Sequence, residues 1–201
     1  NPYWITEHIK IPNHKNRYMA TASAKYEFAD WINVTARAKM DRNNERRERM
    51  YDAGTNTLFA SKYGYYSKSN IENQQIYGEL LLNINKYFVD NTLNVTANVG
   101  GNFENNDYQS DYFGGKLKSV ANLFTFGNVD TSEKNLANQY GYHLKKRAIF
   151  GSAQIGYKSM AYLDVTARND WSSTFKGTNT GSFFYPSIGL SGIITDIFRC
   201  S

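Results

Sequence analysis

The sequence predicts an all-β protein: part of a large antiparallel, up-and-down transmembrane β-barrel, with about seven strands in this chain. Three observations predict it. Apolar and polar residues alternate with a period of two over long stretches, which puts successive side chains on opposite faces of a strand. A short motif, an aliphatic residue, Asn or Asp, then Val-Thr-Ala, begins at Ile32, Leu93 and Leu163, each time just after a tight turn. The connections also alternate between very short and long. In a meander that gathers tight turns at one end and long loops at the other, as outer-membrane barrels do.

In chain order, Asn1 to Asn16 holds a Pro-Tyr-Trp cluster and reads as loop or a short ragged strand, with Tyr3 to Ile11 as a weak candidate for an eighth strand. Arg17 to Phe28 is the first clear strand, with Tyr18, Ala20, Ala22, Ala24, Tyr26 and Phe28 on one face. After a short turn, Ile32 to Arg47 sets Ile32, Val34, Ala36, Ala38 and Met40 against Asn33, Thr35, Arg37, Lys39 and Asp41. The charge run Arg42 to Arg49 allows a helix, but a strand continuing past its apolar band into water is the favoured reading. Tyr51 to Asn70 is expected as a long loop, Gln75 to Phe88 as a strand, and Thr92 to about Gln109 as its partner across Asp90-Asn91. Asp111 to Tyr140 is expected as a second long polar loop. Leu144 to Tyr157, the strand from Leu163 and Phe183 to Ile194 complete the set, with a shorter loop at Ser172 to Ser182.

Composition agrees with this reading. A mean hydropathy of −0.60 and the lack of any apolar run near 18 residues exclude an α-helical span but not strands that alternate. Sixteen Tyr and only three Pro suit a wet-surfaced sheet with long ladders. Aromatics gather near the tight turns at Tyr26, Phe28, Trp31, Tyr87, Phe88, Tyr157, Tyr162 and Phe198, as in an interfacial girdle. A soluble β-sandwich is the competing fold. Against it stand strands of about 14 or more residues, where about 5 or 6 is usual, and an apolar face heavy in Ala and Gly.

The stretch LDVTARNDWSSTF followed by FFYPSIGLSGIITDIF resembles the SusC/RagA family of TonB-dependent outer-membrane transporters. Arg168, Asn169, Asp170, Trp171, Ser172 and Ser173 fit the family's strand end, and Tyr185, Pro186 and Ser187 fit the return strand. Asn1-Pro2-Tyr3-Trp4 and Ala148-Ile149-Phe150-Gly151-Ser152 also look like family barrel segments. The resemblance implies a barrel segment spanning residues 1–201, with the plug, the TonB box and the last strands outside this chain. It implies energised import of oligosaccharides or peptides, with TonB and a SusD-like surface lipoprotein as partners. The setting would be the outer membrane of a Gram-negative, Bacteroidota-type bacterium, with lipid or lipopolysaccharide around the barrel. The polar face, with Lys25, Glu27, Arg37, Lys39, Asp41, Glu79, Asn83, Asn94, Asn98 and Arg168, would line a wet lumen. A secreted carbohydrate-binding β-sandwich and a passive porin-like channel are the alternatives.

No enzyme chemistry is expected. Asp164 and Asp170 share a face but lie roughly 20 Å apart on one strand, beyond the roughly 5–9.5 Å of a glycosidase pair. His8, His14 and His143 lack ligand spacing, so no metal or other cofactor is expected. The single Cys200 offers no disulfide, and the spread +5 charge comes without a nucleic-acid-binding signature, so no nucleic acid is expected as a partner. Asn33-Val-Thr and Asn94-Val-Thr fit a glycosylation pattern but fall inside strands. The candidate substrate contacts are Tyr63, Tyr65, Tyr66 and Trp171, as an aromatic platform for sugar rings, with Arg37 and Arg168.

Overall fold

A computed structural model describes residues 2–132, 136–177 and 181–194, so Asn1, Phe198 and Cys200 lie outside the described residues. Helix α1 (Pro2–His8) leads into β1 (Ile9–Lys10) and β2 (Asn13–Ala29). There follow β3 (Ile32–Tyr51), β4 (Tyr65–Phe88), β5 (Leu93–Lys116), β6 (Ala137–Tyr157), β7 (Ala161–Ser172) and β8 (Ser182–Gly192). From β3 to β8 each strand pairs with the next in one sheet, and both β1 and β2 pair with β3. The seven expected strands are thus the long ones, of 11 to 24 residues. The eighth, β1, has two residues and pairs Ile9 with Tyr51 and Lys10 with Met50. Pro12, which has no N–H to give a ladder, separates β1 from β2; its carbonyl still accepts from Glu48 N–H at 3.0 Å.

Three expectations need correction. Pro2–His8 is helical rather than a loop or a strand. Its seven residues are too few to hold a helix by propensity alone. Tertiary contact holds it: the Trp4 indole N–H donates to Thr55 Oγ1 at 3.2 Å, and the ring lies 4.0 Å from that of His8. Tyr65 to Asn70 belongs to β4, not to a loop. Asp111–Lys116 and Ala137–Tyr140 likewise belong to β5 and β6. The charge run is strand, as favoured, and β3 carries on to Tyr51.

Contacts divide the chain into two units. One comprises Asn1–Met19, Asp41–Gln74 and Asp107–His143; the other comprises Ala20–Met40, Gln75–Asn106 and Leu144–Ser201. The first has a small core, with Tyr66, Leu117 and Val129 buried and Met50, Tyr63, Phe113, Phe124 and Leu136 packed against it. Asn128 organises the connection after β5. Its side-chain oxygen accepts from the N–H groups of Ser119 and Val120, and its amide donates to the carbonyls of Val120 and Leu123.

The second unit holds the tight turns. Val89, Asp90 and Asn91 adopt φ of 51°, 48° and 66°, and Lys158 and Ser159 adopt 48° and 57°. Such left-handed backbone lets two or three residues reverse a strand, at a cost that is highest for the β-branched Val89. Lysines lie over the turn aromatics, with Lys86 Nζ 4.3 Å from the centre of Trp31 and 5.4 Å from that of Phe88.

The faces of the second unit follow from register. Ala153–Val165–Ile188 and Ile155–Leu163–Leu190 form apolar rows across β6, β7 and β8. Ser152–Thr166–Ser187 and Gln154–Asp164–Gly189 form polar rows on the other face. Among the described residues of this unit the only buried apolar side chain is Ala148, while Ile149 is 60% exposed, Ile188 75% and Leu190 82%. A sandwich would bury this face, and no second sheet covers it among the described residues.

Candidate functional site

The polar face of the second unit holds a concavity of about 480 Å³ whose lining includes Tyr77, Asn102, Glu104, Lys146, Arg168 and Tyr185. Alternation along β4–β8 brings these polar side chains to one side while their neighbours join the apolar rows. Most of its charges are paired with opposite ones. Arg168 Nε donates to Asp170 Oδ1 and Oδ2 at 2.9 and 3.0 Å, and its guanidinium lies 5.4 Å from the ring centre of Phe150. Lys146 Nζ lies 3.6 Å from Glu104 Oε1. Beside the concavity, Glu79 accepts from the Tyr77 hydroxyl at 2.6 Å and from Arg37 Nη1 at 3.2 Å. Further along the face, Asn83 donates to Asn33 at 2.9 Å and Asn98 to Ser152 at 3.3 Å. These partly exposed pairs can exchange partners with a hydrated ligand carrying charges of both signs or many hydroxyls.

In the first unit the same alternation assembles a tyrosine cluster. Tyr51 and Tyr65 stack at 5.1 Å, and the hydroxyls of Tyr65 and Tyr112 share a hydrogen bond of 2.7 Å. Tyr108 and Tyr142 stack at 5.2 Å, with Tyr140 edge-on to Tyr108 at 6.1 Å.

The six candidate contacts are therefore not one site. Arg37 and Arg168 lie on the polar face of the second unit, each bound to a carboxylate. Trp171 pairs across the strands with Arg147 and falls, by alternation, on the apolar side, but it also borders the polar concavity that Arg168 lines. Tyr65 belongs to the tyrosine cluster of the first unit, whereas Tyr66, next in sequence, points the other way and is buried beside Leu117 and Val129. Tyr63 packs against that core, with Lys62 Nζ 5.0 Å from its ring centre. Sequence reasoning missed Tyr108, Tyr112, Tyr140 and Tyr142, having placed Tyr112 and Tyr140 in a loop and Tyr142 outside any strand. The signal was present in the two-residue spacings Tyr108-x-Ser110-x-Tyr112 and Tyr140-x-Tyr142.

Asp170 is held by Arg168, and Asp164 accepts from Gln154 Nε2 at 2.8 Å, so each carboxylate has its own partner. His8 meets Asp52 at 3.0 Å, and His143 contacts Asp107. Among the described residues no group of three His, Cys, Asp or Glu could hold a metal ion. No helix among them is long and apolar enough to cross a membrane, a fact that does not bear on strands.

No protein-family model matches the chain, and no curated protein matches it in sequence. The fold does match solved structures. The RagAB peptide importer in its "open-open" state and the RagAB peptide transporter each align with 100% of this chain, at a TM-score of 0.87 and 17% sequence identity. The chain spans 22% of the length of those matched chains. At that identity the likeness is one of fold: a single antiparallel sheet of long strands, as in the matched proteins.

Proposed function

We propose that this chain forms part of the barrel wall of an outer-membrane transporter that imports bulky polar nutrients, oligosaccharides or peptides. The observation that carries the proposal is the two-sidedness of the sheet. One face exposes Val99, Ile149, Ile188 and Leu190 with nothing over them among the described residues, while the other is a network of paired polar groups. Water tolerates the second face and penalises the first, whereas a bilayer on one side and a wet lumen on the other satisfy both.

The sheet's edges extend the reading. Among the described residues β8 pairs only with β7, and β1 and β2 pair only with β3. In hydrocarbon each unpaired backbone group costs several kcal/mol, so strands supplied from outside this chain complete the barrel. The match to 22% of a longer transporter chain supports that. TonB-derived energy, passed through a plug, and a SusD-like lipoprotein lid complete the proposal, which rests here on the family resemblance and on the importers that share the fold. The polar concavity around Arg168 and the tyrosine cluster around Tyr65 are the surfaces offered to cargo.

The test is uptake by cells carrying the whole protein. It should fractionate with the outer membrane, and accumulation of labelled oligopeptide or oligosaccharide should stop when the proton gradient is dissipated. Uptake that survives uncoupling would make it a passive channel, and recovery in the soluble fraction would favour a secreted binding domain.

A further inference from the structure

The apolar face of the second unit carries a trough that the transport reading does not use. It opens to about 1050 Å³ among Ala38, Gly78, Leu80, Gly101, Phe103 and Ile149, with Asn105, Arg147 and Trp171 also lining it and Arg37, Glu79 and Asn102, whose side chains belong by alternation to the other face, at its border. It continues past Leu80 and Gly101 to Val34, Leu82 and Val99. Two glycines form its floor. A Cβ on Gly78 would meet the Phe103 ring at 2.3 Å, so that ring lies directly on the glycine backbone. A Cβ on Gly101 would meet Ala148 O at 3.2 Å, closer than ordinary contact, and Ile149 Cγ1 at 3.9 Å, so a side chain there would crowd the floor.

From Asn105 to Val99 the trough follows β5 for six residues, roughly 20 Å at strand spacing. That exceeds half of the ~30 Å hydrocarbon core.

The chemistry changes at one end. Arg147 pairs with Trp171 across β6 and β7, is exposed, and has no carboxylate partner among the described residues. Lys145, exposed and two residues along the same strand, shares its face by alternation. A mostly apolar channel ending at an indole and two cations fits an amphiphile with an acyl chain and an anionic head. Guanidinium is the side chain best suited to bind phosphate in a bidentate manner, and Trp settles where tail meets headgroup.

We propose that this trough is a specific site for an anionic phospholipid, its acyl chain along Gly78–Gly101 and its phosphate on Arg147 with Lys145. The inference rests on the membrane-barrel reading, because only that reading puts this face in lipid.

The test uses the whole protein that carries this chain, inserted into vesicles of phosphatidylcholine and phosphatidylglycerol in equal parts. Native mass spectrometry then reads the lipids retained on release. Phosphatidylglycerol should be retained over phosphatidylcholine. Arg147→Gln should cut its retention about tenfold, the order expected for one lost charge-assisted contact, and lower that of phosphatidylcholine less, because the choline cation already offsets that lipid's phosphate. Ala38→Trp, which fills the trough from an exposed position without a charge change, should release the acyl chain and reduce retention of both lipids.

Equal retention of the two lipids by the unaltered protein, or unchanged retention in both variants, would overturn the site. Conversion of a dimer to a monomer by Ala38→Trp with no change in lipid would overturn it in favour of a second copy of the protein. A protein that never enters the vesicles would instead refute the barrel reading itself, so the two failures are distinguishable.

Discussion

Four hydrogen bonds converge on the side chain of Asn128, a buried residue in a connection that is otherwise mostly exposed. Replacing it with Ala would leave two N–H groups and two carbonyls without their partner. Counting the groups that water cannot reach, the cost is about 3 kcal/mol. Because the neighbours are local, the loss should appear as opening of residues 117–129 rather than as global unfolding. Hydrogen exchange at Ser119 and Val120 should accelerate by about a hundredfold in Asn128→Ala, while amides in β7 keep their protection. Unchanged exchange at both residues would mean that the backbone bonds of this connection, such as Lys118 N–H to Asn128 O at 2.8 Å, hold it unaided. Nothing in the sequence marks Asn128 apart from the other asparagines, since its role depends on partners brought together only by the folded turn.

At the scale of the strand, β7 offers two adjacent residues with opposite surroundings. Val165 lies between Ala153 and Ile188 in the apolar row, and Thr166 lies between Ser152 and Ser187 in the polar row. If the first row faces lipid, Val165→Arg should destabilise the inserted protein by roughly 2–4 kcal/mol, and Thr166→Arg by much less. Denaturant unfolding from vesicles measures both, and equal costs would count against a barrel. This two-sidedness was legible in the sequence because alternation is local and Leu163-Asp164-Val165-Thr166-Ala167 displays it without help. The far ends of β4, β5 and β6 were not legible. Residues such as Tyr65–Asn70 and Asp111–Lys116 leave the apolar band, so no alternation of aliphatic with polar residues marks them, and only the tyrosine spacing through Tyr112 hints at strand. They stay in the ladder through groups distant in sequence, including Tyr65 with Tyr112 and Gln139 Nε2 with Asp111 at 2.9 Å. Helix α1 was missed for the same reason: Thr55, which fixes Trp4, lies 51 residues away.

For the molecule as a whole, the short-long rhythm of connections foretold one meandering sheet, and the pairing from β3 to β8 follows it. The candidate site was less legible. A face can be read from a period of two, but which residues meet on it depends on register between strands, as Tyr65 and Tyr66 show by parting to opposite sides. The open edges at β8 and at β1–β2 bear directly on how the chain behaves alone. Refolded in detergent by itself, it should give no heat-modifiable, protease-resistant monomer, because its edges remain unpaired. A compact, heat-modifiable monomer would show that these strands close on themselves and that no outside strands are needed.

The central claim is that one face of this sheet meets lipid and the other meets water. Single cysteines replacing Val165 and Thr166 in the whole protein, each carrying a nitroxide label and reconstituted in vesicles, test it by collision with two relaxing agents. The label at 165 should be relaxed by oxygen, which concentrates in hydrocarbon, and shielded from a water-soluble nickel chelate, and the label at 166 should show the reverse. Equal accessibility of both labels to the nickel chelate would place both faces in water and contradict the account.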